Sequence, residues 1–494
     1  MFSAMWKKFV LGFFVFVSIL FISIRLGLPY YADYKLHRIL DQADSASFSE
    51  LEINFWDGNV ELRDLYLVDT SGNLANQPIK LALDLLSIRG LDILKLLKEN
   101  TAKVDTIIIG KGSVKLPLFH KDTTRAAPKG DAKFLQQIAV KHILLDSIAF
   151  DLSLNPMVRS QFIRGTVFFN ADDVEIPLIK DGPLAWTGSL ALHALSINDS
   201  LGKLAHMPLQ LELSSLRLIG LNANDLQALG SAKADSILVG KGWANFVLAE
   251  AKTDTVSDGV SSTQKQLNSI SLNYFKVDSL SFDVGLNAKK SKERFKASVR
   301  CEASDVVIPF SESAPMAYNN LQINLSNLYL LPRKSIAYFT LEQCQYNSVE
   351  NNIALHGFKM RQTISQSRYA KHFGWDKDFI KMDVFSIMIA GIPKKLEQLS
   401  DGINVDEITI LGAQAYFYKD KRLPHPAKAV PFPIEALSAL TTPVHVNKVV
   451  VTDGQLFYNE NWREDYVPGR LNLSDIDVVI TNISSTGPTK QGKW

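Results

Sequence analysis

The sequence predicts a mainly β protein with short helices, preceded by one N-terminal transmembrane helix. Two observations support this fold class. One line of apolar residues at strand spacing recurs along the 494 residues, and a single uncharged apolar run, from Phe9 to Ile24, is long enough to suggest a membrane helix. With 46% hydrophobic residues, the chain can bury a large core, and it is too long for one ordinary domain.

The recurring line places apolar residues at offsets 0, 3, 5, 8, 10 and 12. Copies begin at Val104, Val140, Ala234, Leu272, Val405 and Val446, with a weaker copy at Ile336. Steps of two are the strand period, and a step of three keeps the same face if a two-residue turn intervenes. Turn-forming residues lie at or beside that step in four copies: Gly110-Lys111-Gly112, Gly240-Lys241-Gly242, Leu411-Gly412 and Asp453-Gly454. Each copy is therefore predicted to be a short hairpin with one apolar face.

A second pattern, apolar-x-apolar-x-x-apolar-x-apolar, lies between these copies and lacks turn residues. It begins at Leu211, Ile323 and Leu471, and with a longer skip at Val299. A β-bulge would restore the face after the extra residue, so we expect longer, bent strands. Brief amphipathic helices are predicted before several hairpins, at "LDILKLLKEN", "KFLQQIA", "DLQALGSA", "KKLEQLSDG" and "IEALSAL". The chain thus repeats one supersecondary unit.

The N-terminal run predicts a retained anchor rather than a cleaved signal peptide, because no small-x-small cleavage site follows it. Lys7 and Lys8 precede the run, which favours a cytoplasmic N-terminus and places the rest of the chain across the membrane. The expected organisation is a cytoplasmic 1–8, an anchor at 9–28, an N-terminal segment at 29–119 and a repeating β region at 134–494. Polar composition predicts loop insertions near 120–132, 250–266 and 419–433.

No signature of catalysis or metal binding emerges from the residues. The net charge of +2 disfavours nucleic-acid binding, and the nine histidines show no ligand spacing. Cys301 and Cys344 cannot build a disulfide framework or a four-thiolate zinc site, and whether they pair is open. The glycines at 110–112 and 240–242 lack the remaining residues of a phosphate-binding loop. We therefore expect no enzyme, no catalytic residue, no cofactor and no metal.

Two stretches after the apolar run resemble the opening of AsmA-like proteins of Gram-negative envelopes: "FSELEINFWDGNVELRDLYLVD" (48–69) and "IKLALDLLSIRGLDILKLLKENTAKVDTIIIGKGSVKL" (79–116). The recurring line continues the resemblance along the chain. It implies a single-pass inner-membrane protein with a periplasmic bulk, folded as an elongated, curled antiparallel sheet related to the chorein-type repeating β-groove. It also implies binding and transfer of phospholipids between inner and outer membrane, in support of outer-membrane integrity.

On this reading the partners are phospholipids and, through residues 9–28, the inner membrane, with no nucleic acid. The candidate groove floor consists of Ile107, Ile109, Val114, Ile143, Leu145, Ile237, Val239, Ile408, Ile410, Val449, Val451 and Leu456. Two alternatives stay open. The fold could be stacked β-sandwich repeats, in which these residues are ordinary core, and the protein could be a non-enzymatic assembly or structural factor acting on outer-membrane or other envelope proteins through its strand edges.

Overall fold

The structure is a computed structural model, and it describes the chain in sixteen stretches. These are residues 43–54, 57–70, 78–92, 101–117, 137–154, 158, 160–177, 185–200, 207–222, 231–248, 269–286, 293–309, 316–393, 402–425, 442–463 and 467–485. The predicted anchor at 9–28 lies outside them. Within these stretches, no helix is both long enough and apolar enough to span a membrane.

Twenty strands and one helix account for the regular structure of the described residues, so the mainly β prediction is confirmed. The first ten strands are β1 Ser45–Ser47, β2 Glu50–Asn54, β3 Asn59–Asp69, β4 Ile79–Arg89, β5 Thr101–Ile109, β6 Gly112–Pro117, β7 Gln137–Ser153, β8 Phe162–Pro177, β9 Ala185–Asp199 and β10 Leu209–Asn222. The others are β11 Ser231–Val247, β12 Ser269–Gly285, β13 Arg294–Pro309, β14 Gln322–Leu331, β15 Ala337–Asn347, β16 Asn352–Gln362, β17 Phe379–Ala390, β18 Ile403–Asp420, β19 Val444–Asn461 and β20 Gly469–Ser484.

By contacts the chain divides into two compact units. Unit 1 comprises Met1–Gly242, Asp258–Asn273 and Val307–Ala314, and unit 2 comprises Trp243–Ser257, Tyr274–Val306 and Pro315–Trp494. In unit 1, β3 pairs with β1, β2 and β4, and β4 pairs with both β5 and β6. β5 and β6 then pair with β7, which leads through β8 and β9 to β10. In unit 2, each strand from β13 to β20 pairs with the next along the chain.

The predicted hairpins are wrong. Two of the copies, β18 and β19, run as single strands through Leu411-Gly412 and Asp453-Gly454. β5 and β6 are successive parts of one line, since both pair antiparallel with β4 and parallel with β7. The step of three comes instead from a residue in the left-handed conformation, such as Gly412 at φ 63° or Asp453 at φ 56°. Such a residue bends the strand without reversing it.

The prediction of an antiparallel sheet holds for most pairs and fails at two places. The line of β5 and β6 is parallel to β7, and β18 is parallel to β19. Parallel neighbours need a crossover of a dozen or more residues. The polar stretch predicted as an insertion near 120–132 lies between β6 and β7, and most of the one near 419–433 lies between β18 and β19. Both stretches are therefore part of the connection that a parallel pair needs. β18 itself continues to Asp420, inside the second stretch.

Most of the predicted short helices lie outside the described residues, and two of their ends are strand. Gln137 begins β7 and Ser231 begins β11. The one described helix, α1 at Gln366–Phe373, was not predicted. It ends at Gly374, whose left-handed φ of 73° provides a typical helix C-cap. Tyr369 of α1 packs edge-on against Phe379 of β17, which fixes the helix on unit 2.

A four-strand arrangement occurs once in each unit with the same geometry. In unit 1 it is β4, the line of β5 and β6, β7 and β8, and in unit 2 it is β17 to β20. Both contain the parallel pair at the same place. Each also has a left-handed glycine after its first strand, Gly90 or Gly391, against the carboxylate of Asp105 or Asp406. The aspartate of the recurring Val-Asp line therefore has a structural role beside glycine.

This contact makes Gly391→Ala a sensitive test of the repeat. A Cβ at residue 391 would overlap the Asp406 side chain, and the residue has φ 77°. We expect a loss of about 2 to 4 kcal/mol, since left-handed strain and the clash add. Gly374→Ala is the matched control, because it has a similar φ of 73° with nothing within 4 Å; about 1 kcal/mol is expected there.

Hydrogen exchange of β17 and β18 amides measures the loss at Gly391. If the clash is the cause, Asp406→Ala should recover part of the loss. Equal effects of Gly391→Ala and Gly374→Ala would reduce the contact to ordinary backbone strain.

Candidate functional site

One face of unit 2 carries apolar side chains in rows that cross the eight strands from β13 to β20. The pairing of neighbouring strands aligns them residue by residue. The first row is Cys301, Ile323, Tyr346, Ile353, Ile389, Ile408, Val449 and Ile480. The second is Val299, Leu325, Cys344, Leu355, Ile387, Ile410, Val451 and Val478. Paired residues point to the same side of a sheet, and residues two apart along a strand do as well. The two rows therefore form one continuous apolar surface.

Beyond a line of left-handed residues in β14, β16, β18 and β19, a further row continues the pattern. Asn327, Gly357, Gly412 and Asp453 have φ values of 53° to 67°. Because these bends lie in line across the strands, the sheet bends as a whole and the apolar pattern resumes three residues later. The resumed row is Phe295, Leu330, Phe339, Met360, Met382, Ala415, Leu456 and Leu473.

The surface is wide and largely half-exposed. Seven strand spacings of about 4.8 Å give a width of about 34 Å. Apart from Tyr346, which is buried, no residue of the first two rows is buried, and the two residues of β20, Val478 and Ile480, are 38% and 46% exposed. A closed core would bury such isoleucines and valines almost completely. This face of unit 2 is therefore an accessible apolar surface, far larger than the scattered apolar residues of an ordinary exterior.

The five predicted floor residues of β18 and β19 come together on this surface. Ile408 pairs with Val449, Ile410 pairs with Val451, and Leu456 lies five residues beyond Val451 along β19, opposite Ala415. All five are half-buried. The sequence patterns thus identified residues that are adjacent in the structure, although as parts of two parallel strands rather than of two hairpins.

Five of the seven predicted floor residues of unit 1 lie in or against a compact core. Ile107 and Val114 are buried in a compact core, with 1% and 5% of their surface exposed. Ile109, Ile143 and Leu145 are partly buried and pack against the same core. That core is centred on β3 to β8 and includes Leu62, Leu86, Ile88 and Val140. At this end of the chain the apolar face is covered.

The last two predicted residues, Ile237 and Val239 of β11, are half-buried. They occupy the same positions of the recurring line as Ile107 and Ile109. The glycines beside them also correspond, since Gly112 lies against Ala82 and Leu83 of β4 and Gly242 lies against Glu212 and Leu213 of β10. β11 therefore repeats the local packing of the line of β5 and β6, with less burial of its apolar residues.

The candidate floor predicted from the sequence includes only four of the sixteen residues in the first two rows of the unit 2 surface. The residues missed in the middle of the surface are Ile353 and Leu355 of β16 and Ile387 and Ile389 of β17. Their strands read "NIALHGFKM" and "FSIMIA", in which apolar residues alternate only briefly. This short alternation is the only signal in the two strands, because neither contains the full set of offsets of the recurring line.

The other face of unit 2 carries charged pairs between the same strands. Lys448 Nζ lies 3.1 Å from Glu407 Oε2, and its hydrogen bond lowers the pKa of the Glu407 carboxyl. Arg361 donates two hydrogen bonds to the Asp383 carboxylate, at 2.6 and 2.9 Å. Charged groups on one face and apolar groups on the other indicate that water contacts the polar face, as in other one-sided sheets.

A second cluster of charged side chains lies at the C-terminal ends of β18 and β19. Arg422 binds the Asp420 carboxylate through two nitrogens, both at 2.7 Å, and lowers its pKa. Lys421 and Tyr458 contact the two oxygens of Glu460 at 2.7 and 2.6 Å. Burial opposes ionisation of Glu460, yet these hydrogen bonds leave its pKa lowered. Burial and Glu460 together raise the pKa of Tyr458. The charges are paired with one another, which fits a structural role.

The two cysteines are free thiols in the apolar rows. Cys301 on β13 and Cys344 on β15 are separated by β14, with Ile323 and Leu325 as their neighbours on that strand. Burial raises the pKa of both thiols. They act as small apolar residues of the surface.

Within the described residues, no group of three or more His, Cys, Asp or Glu side chains could hold a metal ion. No protein-family model matches the chain, and no curated protein matches it. The geometry of the apolar surface in unit 2 is the feature from which function can be argued.

Proposed function

We propose that this protein binds phospholipids on the apolar surface of unit 2 and passes them between the inner and outer membranes of a Gram-negative envelope. The observation that supports it is the set of apolar rows across eight strands, open enough to leave most side chains half-exposed. Acyl chains are suitable cover because each methylene gains about 0.8 kcal/mol on leaving water. A continuous surface lets a chain move from row to row while it stays in apolar contact.

The cellular setting in this proposal is the one that the resemblance to AsmA-like proteins implies. Residues 9–28 would anchor the chain in the inner membrane, and the strands would lie in the periplasm. Lipid transfer along such a surface requires no catalytic group. The proposed groove floor contains Ile408, Ile410, Val449, Val451 and Leu456, together with their partners on β16, β17 and β20.

Neighbouring residues of β19 allow a matched test. Val451 lies in the second apolar row, whereas Val450 points to the opposite face and pairs with Thr409 and Val479. A photoreactive benzophenone amino acid is placed at either position in the full chain, expressed in the envelope of a Gram-negative host. After irradiation, mass spectrometry of the purified chain measures phospholipid adducts. We expect at least about tenfold more adduct at residue 451, since a single strand turns successive side chains to opposite faces.

Equal labelling at both positions would show non-specific lipid contact and would contradict the groove. Cross-linking of residue 451 to protein instead of lipid would favour the alternative, in which the surface serves envelope-protein assembly.

A further inference from the structure

The polar face of unit 2 has an open pocket of about 320 Å³ where β18, β19 and β20 meet the start of α1. Ala415, Leu456 and Leu473 belong to the apolar face, so the adjacent residues of their strands point to the opposite face. The adjacent residues that line the pocket, in register across the three strands, are Tyr416, Phe457 and Asn472. The sheet itself therefore separates this pocket from the apolar rows.

Three aromatic rings line this pocket, those of Tyr416 and Tyr418 on β18 and of Phe457 on β19, and all three residues are half-buried. Phe379 of β17 lies opposite Tyr418 and is only 3% exposed, because Tyr369 of α1 packs edge-on against it. The helix thus covers one ring of this face and leaves its neighbours accessible. The pocket volume is near the lower end of the range of about 300 to 1,000 Å³ for small-molecule sites.

Side-chain amides surround these rings. Asn459 of β19 and Asn472 of β20 line the pocket, and Gln366 at the start of α1 accepts a hydrogen bond from the Tyr416 hydroxyl at 3.2 Å. Each amide offers both donors and an acceptor. A purely apolar ligand would cover these groups without pairing them, which is unfavourable. The pocket therefore favours a ligand with an apolar side and several hydroxyl groups.

The pocket also carries positive charge. Arg470 of β20 lines it, and none of the described residues that line it is acidic. Lys381 of β17 lies opposite Tyr416, and its Nζ is 5.6 Å from the centre of the Tyr416 ring. The acidic residue nearest to Lys381 along β17 is Asp383, which Arg361 binds with two hydrogen bonds. Cations on both sides of the aromatic rings attract an anionic group and repel a cationic ligand.

We infer that this pocket binds a saccharide that carries a negatively charged group. A sugar ring presents weakly positive C–H groups on its flat side, and these suit the negative face of an aromatic ring. Its neighbouring hydroxyl groups both donate and accept hydrogen bonds, as the side-chain amides do. A carboxylate or phosphate on the sugar would bind Arg470, because a guanidinium forms paired hydrogen bonds to such groups.

Methyl glucuronide is the probe, and methyl glucoside is its neutral counterpart with the same ring. Ligand-observed NMR on the full chain measures both affinities. We expect methyl glucuronide to bind about fivefold to tenfold more tightly, because only this sugar has a carboxylate for Arg470. Arg470→Gln should remove that preference and leave the affinity for methyl glucoside within about twofold. The preference should also shrink at high salt, since Arg470 is exposed.

The aromatic rings have a test of their own. Phe457→Leu should weaken the binding of both sugars at least about fivefold, because leucine keeps an apolar side chain but has no flat aromatic face. Phe385→Leu is the matched control and should change neither affinity, since Phe385 is a 68% exposed aromatic residue of unit 2 outside the pocket. Hydrogen exchange of β18 and β19 amides verifies that the Phe457→Leu chain is folded.

Octyl glucuronide identifies the source of the saccharide. An affinity equal to that of methyl glucuronide would assign the pocket to a free saccharide. Binding at least about fivefold tighter would assign it to the head group of a glycolipid, because the added chain then has an apolar contact of its own.

Three results would overturn the inference. Methyl glucuronide that binds no more tightly than inorganic phosphate would show a general anion site. Adenosine monophosphate that binds at least about tenfold more tightly than methyl glucuronide, and is lost with Phe457→Leu, would assign the rings to a nucleobase. Equal effects of Phe457→Leu and Phe385→Leu would place the sugar outside the pocket. None of these results depends on lipid binding to the apolar rows, which lie on the other face of the sheet.

Discussion

Ile107→Asp is expected to unfold the core of unit 1, whereas Ile410→Asp is expected to leave unit 2 folded. The two isoleucines lie in two copies of the recurring line, Ile107 three residues after Val104 and Ile410 five residues after Val405, and they differ in burial. Ile107 is 1% exposed and packs among Leu86, Ile88 and Val140, so a carboxylate there would be buried without a partner. The expected cost is at least about 4 kcal/mol. Ile410 is half-exposed, and its replacement should cost about 1 kcal/mol or less.

Hydrogen exchange resolves this prediction better than a single melting curve, because two units need not unfold together. The amides of β4 to β7 report on unit 1, and those of β17 to β19 report on unit 2. Ile107→Val is the control at the buried site, with about 1 kcal/mol expected for one lost methylene. Unfolding of β17 to β19 by Ile410→Asp would show that this surface is sealed core and would favour the β-sandwich alternative.

The same Ile410→Asp substitution should weaken lipid binding roughly tenfold. Ile410 is in the second row, between Ile387 and Val451, so its carboxylate would interrupt the path of an acyl chain. Loss of apolar contact for two methylenes, at about 0.8 kcal/mol each, corresponds to roughly a tenfold loss of affinity. The yield of phospholipid adduct from the benzophenone at residue 451 is the measurement.

Thr409→Asp is the matched control for lipid binding. Thr409 is the neighbour of Ile410 along β18, points to the polar face and hydrogen-bonds Glu407 at 3.2 Å. Thr409→Asp should leave the adduct yield within about twofold of that of the chain without the substitution, because the side chain of residue 409 is on the face away from the acyl chains. If both aspartates lowered the yield equally, the effect would be a general loss of fold or charge repulsion and the groove would not be supported.

Prediction from sequence succeeded where it depended on residue spacing and failed where it depended on chain direction. The line starting at Val405 correctly placed Ile408 and Ile410 on one face beside Val449 and Val451. It could not show whether Gly412 reverses the chain or bends it. A two-residue turn and one left-handed residue both produce a step of three in the pattern, and glycine and aspartate are favoured by both.

The open surface could be only partly predicted, for a similar reason. Ile107 and Ile408 occupy equivalent positions of the recurring line, yet Ile107 is buried and Ile408 is only half-buried. Burial depends on what packs above a face, and that involves residues distant in the chain. The sequence showed one apolar side per strand; the packing decided which of those sides was covered.

By itself, the sequence determined that the chain is mainly β, that its strands have one apolar face and that a supersecondary unit recurs. These properties depend on side chains a few residues apart, for which local periodicity is sufficient. Only the tertiary structure decided that β18 and β19 are parallel, that the apolar rows continue over eight strands and that Ile107 is buried whereas Ile408 is half-buried. Strand pairing joins residues tens of positions apart, and the free energy that selects a partner depends on the whole surface that the pairing buries.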